Sequence, residues 1–336
     1  AHDFAQLASA PRVTLLCSKR RDDKPAISAR WIWRLKTLTR GALGGAAEAV
    51  LSPAPGHDPT AWLAHIEQAP PLPASFSAEP RPCPPLAARP SKLSVTRVEQ
   101  LIRDPYAIYC ESVLGLRALD PLNLPADVRV RGTAIHKALE RFELERISET
   151  PEALLEVLEA ELRAGGESEA DLIALRLKRL EVCADYLIWR SEQSHSIIGD
   201  PYTEERGSLR LSIAGKGFEL SGTADRIEMR VDGGIAVLDF KTGRPPSEKQ
   251  VRAGLSPQMP LQGLIAREGG YEKLGPVDVG ALTYIQFGTQ FDVREIGSGA
   301  ARGKIEPKTV SETIADAEAG LIELLTAFAT PDHPYL

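Results

Sequence analysis

Hydrophobic and polar positions change period several times along the chain. The most strand-like stretch is residues 218–243, two apolar-rich runs on either side of Asp232-Gly233-Gly234. That tripeptide is a turn signal joining antiparallel strands, so the stretch is predicted to be a β-hairpin. Upstream, Ile135, Leu139, Phe142 and Ile147 recur at helical spacing behind Gly132-Thr133 and predict a helix over 131–147. From Ser94 a capped helix is expected, broken near Pro105 and followed by a second short helix. Periodicity predicts further helices at 151–164, 169–193, 247–268 (interrupted near Pro257) and 309–329, the last capped by Thr309 or Ser311. Strands are expected at 204–213 and 281–287.

The front of the chain reads differently. Residues 12–17 suggest a short strand, and 27–39 a helix carrying Trp31, Trp33 and Leu35. Residues 52–90 hold 11 of the 26 prolines, with one short helix around Trp62-Leu63 and Ile66. Such a stretch reads as an extended linker. The division expected is therefore 1–50, a linker at 51–90, and a compact domain at 91–336.

The hairpin carries unusual chemistry. Asp225 stands in its first run and Asp239 in its second, and counting outward from the turn puts them opposite each other or within about two positions. Paired strands lie roughly 4.8 Å apart, so both carboxylates reach one small cation. Side chains alternate faces, so Lys241 shares the side of Asp239 while Leu238 and Phe240 point into the core. Two carboxylates aimed at one point repel, and a divalent cation removes the conflict. The plain alternative is a surface hairpin with a cross-strand Asp–Lys pair. His136 falls in the first turns of the 131–147 helix, where a histidine serves as packing residue or ligand.

Composition narrows the choice. The 336 residues are 43% hydrophobic and 26% charged, which is ordinary for a soluble protein of about two domains. No run of 18 apolar residues and no basic–apolar–cleavage pattern occur, so neither a membrane span nor a secretory leader is expected, and a cytoplasmic protein is. Cys17, Cys83, Cys110 and Cys183 are widely separated, which argues for reduced thiols and against a cysteine-built zinc site. No G-x-x-x-x-G-K-[ST] motif is present, so no ATP site is expected. The net charge of −6 counts against nucleic-acid binding, but it is unevenly spread. Residues 1–40 have nine Lys/Arg against three Asp/Glu, and 137–171 have eleven Asp/Glu against four Lys/Arg. The basic front fits either a nucleic-acid contact or the solvated face of a small subdomain.

Four motifs occur in order: G-x-x-x-H (Gly132 to His136), G-x-x-D-R (Gly222 to Arg226), D-F-K-T-G (Asp239 to Gly243) and Q-x-P-L (Gln258 to Leu261). Together they resemble the RecB-like branch of the PD-(D/E)XK nucleases, and the chain resembles the C-terminal part of the B subunits of AddAB helicase–nucleases. The resemblance implies an α/β fold, an αβββαβ core with a mixed sheet flanked by helices. It implies a helicase-like remnant at 1–50 and a nuclease domain at 91–336. It implies that His136, Asp225 and Asp239 bind Mg²⁺ or Mn²⁺, that Lys241 serves the hydrolytic step with Asp225 and Asp239, and that Gln258 shapes the site or contacts DNA. Relatives often have a tyrosine shortly after the glutamine, near the place of Gln262. Many relatives hold an iron–sulfur cluster on one early and three late cysteines. Here Asp104 stands at the early position and no cysteine follows Cys183, so no cluster is expected. The function implied is a metal-dependent DNA nuclease, hydrolysing phosphodiesters by metal-activated water in DNA end processing, double-strand break repair and recombination, beside a helicase–nuclease partner subunit. The rival readings are a non-catalytic DNA-binding or scaffold module of a recombination complex, and a Cas4-like exonuclease, against which the missing cysteines count.

Overall fold

The computed structural model describes residues 2–11, 13, 15, 17–18, 20–21, 24–52, 59–68, 80–117, 119, 128–298 and 308–336. The chain divides into two units, residues 1–78 and 79–336. In the first, α1 (His2–Ala8) precedes two short antiparallel strands, β1 (Arg20–Arg21) and β2 (Lys24–Pro25). Then come α2 (Arg30–Leu43), α3 (Ala47–Leu51) and α4 (Pro59–Glu67). α2 begins and ends later than the apolar spacing suggested, stopping where Gly44 takes a positive φ of 53°. Trp33 and Leu38 on it remain exposed. Of the strand read at 12–17, residues 12, 14 and 16 lie outside the described residues, as do 53–58 and 69–79 of the proline-rich stretch.

The second unit begins with β3 (Lys92–Ser94), α5 (Val95–Arg103) and α6 (Pro105–Ile108). Three longer helices follow: α7 (Val128–Leu144), α8 (Pro151–Ala164) and α9 (Glu169–Gln193). The chain then forms β4 (Ile197–Ile213), β5 (Lys216–Arg230) and β6 (Ile235–Lys241). It closes with α10 (Glu248–Arg252), α11 (Gln258–Arg267), β7 (Val279–Phe287), β8 (Phe291–Ile296) and α12 (Val310–Phe328). Local chemistry sets the starts of the helices. Thr150, Ser168 and Thr309 each accept a backbone N–H as N-caps, and Thr309 completes a capping box with Glu312. Asp104 caps α6 by accepting the Ala107 N–H at 2.9 Å.

Among the described residues the sheet has six strands in the order β3-β5-β6-β7-β8, with β4 paired along β5. It is mixed: β3 runs parallel to β5 and β6 parallel to β7, while the other neighbours are antiparallel. Helices cover both faces. Leu220, Val237, Leu282 and Tyr284 pack with residues of α5, α11 and α12. Ala236, Leu238, Phe240 and Phe287 pack with α7, α8 and α9. β6 is buried from Ile235 to Phe240, as a central strand between two helical layers must be. β3 and β8 were not legible as strands, and β4 begins seven residues before its sequence-based start.

Candidate functional site

The hairpin forms as its turn suggested, with Gly233 at φ 91°. The ladder between β5 and β6 runs from Met229↔Ile235 to Arg226↔Leu238 and ends there. The next step places Asp225 across from Asp239. Beyond it β6 diverges, and β3 reaches β5 only at Glu219–Ser221. The edge of β5 from Gly222 to Asp225 is thus left without a strand partner. Polar side chains take up the released backbone groups. The Phe240 N–H donates to Asp225 Oδ2 at 2.7 Å, and Gln262 Nε2 donates to the Thr223 carbonyl at 2.9 Å. Gln262 is fully buried on α11 and braces this edge.

α7 brings His136 to this split. Its Nε2 lies 3.0 Å from the Phe240 carbonyl, an acceptor, so Nε2 carries the ring proton. Nδ1 is then the lone-pair nitrogen of the neutral ring. It faces Asp225 Oδ1 at 3.5 Å and Glu204 Oε1 at 4.0 Å. The rotation of α7 is held by a second contact. Glu143, two turns beyond His136 on the same face, pairs with the buried Arg226 at 2.5 Å. Arg226 also donates to Glu228 at 2.7 Å, and Arg190 of α9 meets Glu143 at 2.8 Å. The arginine of the G-x-x-D-R motif therefore ties β5 to two helices. Losing it would leave buried carboxylates unpaired, the costly way to break such a network.

Glu204 was not among the residues singled out from the sequence. It lies on β4 between the pairs Thr203↔Arg226 and Glu205↔Ala224, level with Asp225. Its φ of 48° is a left-handed conformation for a residue with a Cβ, which costs on the order of 1–3 kcal/mol. Among the described residues, His136, Glu204 and Asp225 form a group whose potential ligand atoms all lie within 4.8 Å of one another.

Asp239 takes a different set of partners. It is 1% exposed. Oδ1 accepts from Gln258 Nε2 at 2.8 Å, and Oδ2 lies 2.6 Å from Lys241 Nζ, out of line for a good hydrogen bond. Lys241 also donates to Gln258 Oε1 at 3.3 Å and stands over the Tyr284 ring at 5.8 Å. Gln258, the first residue of α11, thus has its amide orientation set by an acid on one side and an ammonium on the other. All five residues singled out lie around the split, but the three-atom cluster contains Glu204 where Asp239 had been expected.

The electrostatics record the crowding. Burial is the largest influence on Asp239 and raises its pKa to about 6. Lys241 opposes this and Asp225 adds to it. Burial also raises Glu204, again reinforced by Asp225 and opposed by His136. For His136 burial works downward, but Asp225, Asp239 and Glu204 outweigh it and the pKa rises. One imidazole nitrogen and three carboxylates are thus crowded at one place, and the raised values show that the fully deprotonated set is disfavoured there without a counter-charge. Hard oxygen ligands with one imidazole suit a small divalent cation.

A family model for the PD-(D/E)XK nuclease superfamily matches residues 92–334. The chain belongs to that superfamily. Nucleases of that superfamily generally use divalent metals. The chain is also similar to two uncharacterized proteins of Rickettsia. One, from Rickettsia conorii, is 31% identical over 192 residues, covering 55% of this chain and 23% of that protein. The other, from Rickettsia felis, is 33% identical over 190 residues, covering 54% and 22%. The chain therefore spans less than a quarter of the length of these relatives. The crystal structure of SSO0001 is similar over 68% of this chain and 86% of its own, at 15% identity and a TM-score of 0.24. Among the described residues no helix is long and apolar enough to cross a membrane.

Proposed function

We propose that the chain is a RecB-like nuclease module that hydrolyses phosphodiester bonds in DNA. Its place is in end processing and recombinational repair in the cytoplasm, beside a helicase subunit, with residues 1–50 as the end of a helicase-like region. The observation that carries the reading is the sheet split, where His136, Glu204 and Asp225 meet next to the Asp239–Lys241–Gln258 group.

His136 Nδ1, Asp225 and Asp239 would hold Mg²⁺ or Mn²⁺, with Glu204 at its margin. When bound, the cation supplies Lewis acidity and a lowered pKa for water. The remaining work falls to side chains. The Phe240 carbonyl holds the His136 tautomer, and the Phe240 N–H holds Asp225. Lys241, positioned by Gln258, presents an ammonium to charge that builds on the phosphate. The low accessibility of Asp239 strengthens each of these interactions relative to water.

The test is degradation of single- and double-stranded DNA in Mg²⁺ and in Mn²⁺, with EDTA controls. Metal-dependent loss of substrate is expected. If the unaltered chain cuts neither substrate, alone or with a helicase subunit, the scaffold reading replaces this one.

A further inference from the structure

The face of the β4–β5 ribbon leading into the split has a regular composition. Alternate residues on the two strands meet as cross-strand pairs, and on one face these are Arg210↔Glu219, Ser208↔Ser221 and Arg206↔Thr223. The next level on the same face is Glu204 beside Asp225. β3 extends the first two rungs, with Lys92 against Glu219 and Ser94 against Ser221. The opposite face alternates correctly for a core: Phe218, Leu220, Gly222 and Ala224 are buried. Gly222 sits tightly there, since a Cβ would lie 3.2 Å from the Ile265 side chain.

The outward face is therefore a strip of hydroxyls and cations that ends at the candidate site. It borders a hollow of about 570 Å³ whose lining runs from Lys92 and Ser94 through Arg206 and Thr223 to Asp225 and Gln258. Arg206, Ser208 and Arg210 are exposed. Neither arginine lies within contact distance of a carboxylate among the described residues, although Arg206 acts on Glu204 and Arg210 on Glu219 through space. Glu219, the one acid on the three rungs, is already paired with Lys92 at 2.6 Å. Glu219 and Asp225 line the hollow together with a third acid, Glu272.

From this register we infer that the outward face of β4–β5, with Lys92 and Ser94 of β3, is the track on which the sugar–phosphate backbone of a single DNA strand approaches the site. The inference rests on the nuclease reading and adds the path and strandedness of the substrate. Arginines and hydroxyls are the groups that contact phosphates without reading sequence. Rungs recur every two residues, roughly 6.6 Å, a step on the scale of successive phosphates of an extended strand. The track narrows from three β-strands, roughly 10 Å, at its first two rungs to two, roughly 5 Å, at Arg206↔Thr223, so it admits one backbone where it reaches the site. It also places positive charge where a chain of net charge −6 needs it.

The experiment is binding of a fluorescent single-stranded oligonucleotide, and of the same oligonucleotide annealed to its complement, at several salt concentrations, in EDTA so that cleavage does not intervene. The full chain is compared with Arg206→Ala/Arg210→Ala and with a control, Lys178→Glu, on the exposed face of α9. Each cation lost from a single-strand contact lowers the slope of log K against log salt by about 0.7, so the double variant should lose about 1.4 and bind roughly tenfold more weakly at low salt. The control should match the unaltered chain. Thermal melts of all three verify folding. Equal slopes for the double variant and the unaltered chain would overturn the track, and so would a loss confined to duplex DNA. Cleavage by the unaltered chain, assayed separately, reports on the nuclease reading alone.

Discussion

Lys241→Ala is expected to lower DNA cleavage by about 10²–10³ while leaving Mn²⁺ affinity nearly unchanged at pH 8. A charged ammonium has no lone pair and cannot be a ligand, so its removal takes no donor from a cation. It takes away a preorganised positive charge, and loss of one such contact typically costs that much in rate. The structure adds a pH dependence. Lys241 Nζ, 2.6 Å from Asp239 Oδ2, is what pulls the Asp239 pKa back down against burial. Without it the carboxylate holds its proton to higher pH. Mn²⁺ binding by the variant should therefore weaken near pH 6 more than that of the unaltered chain, and recover by pH 8. Single-turnover cleavage and a calorimetric Mn²⁺ titration, each at both pH values, check this. Cleavage equal to that of the unaltered chain would remove Lys241 from the chemistry.

Asp239→Asn should have the opposite signature for stability. It is expected to abolish both cation binding and cleavage, yet to stabilise the metal-free fold at neutral pH. Asp239 is a carboxylate whose folded pKa, about 6, lies above its ordinary value of 3.8. Between those values the folded chain holds a proton that the unfolded chain has released, so stability falls as pH rises through that window. By pH 7.5 the whole cost is present. Asparagine removes the charge and keeps an acceptor for Gln258 Nε2. In EDTA at pH 7.5 the variant should melt above the unaltered chain, and near pH 4 the two should coincide. Added Mn²⁺ should reverse the order, because only the chain that binds it gains by mass action. A variant less stable than the unaltered chain in EDTA at pH 7.5 would show that the Lys241 pair outweighs burial.

These residues differ in how readable they were. Asp225 and Asp239 face each other because the ladder is counted from a turn, and Asp232-Gly233-Gly234 marks that turn in the sequence. His136 was readable because α7 has strong apolar spacing from Ile135 to Phe142. Glu204 was not. Its role in the cluster depends on a left-handed residue inside β4, and nothing local distinguishes it from Glu205, which is buried and paired with Lys273 at 2.6 Å. An acid at the first position of the expected strand was the available signal. The Asp239–Gln258 contact is similarly long-range, since it depends on where α11 begins after the break at Pro257. β3 escaped because it is three residues long and exists through its pairing with β5. β8 escaped because Phe291–Ile296 is mostly half-exposed and its alternation is weak. The role of Arg226 was hidden for the same reason, as its partners Glu143 and Arg190 come from two other helices.

The most direct test is to locate Mn²⁺ by anomalous diffraction from crystals grown with the ion. The account predicts one strong peak at coordination distance from His136 Nδ1, Asp225 and Asp239, with the Asp239 carboxylate turned away from Lys241. A peak held by His136, Glu204 and Asp225 alone, with Asp239 still bonded to Lys241 and Gln258, would contradict the ligand assignment. No peak at the split, in a crystal that holds Mn²⁺ elsewhere, would contradict the metal site itself.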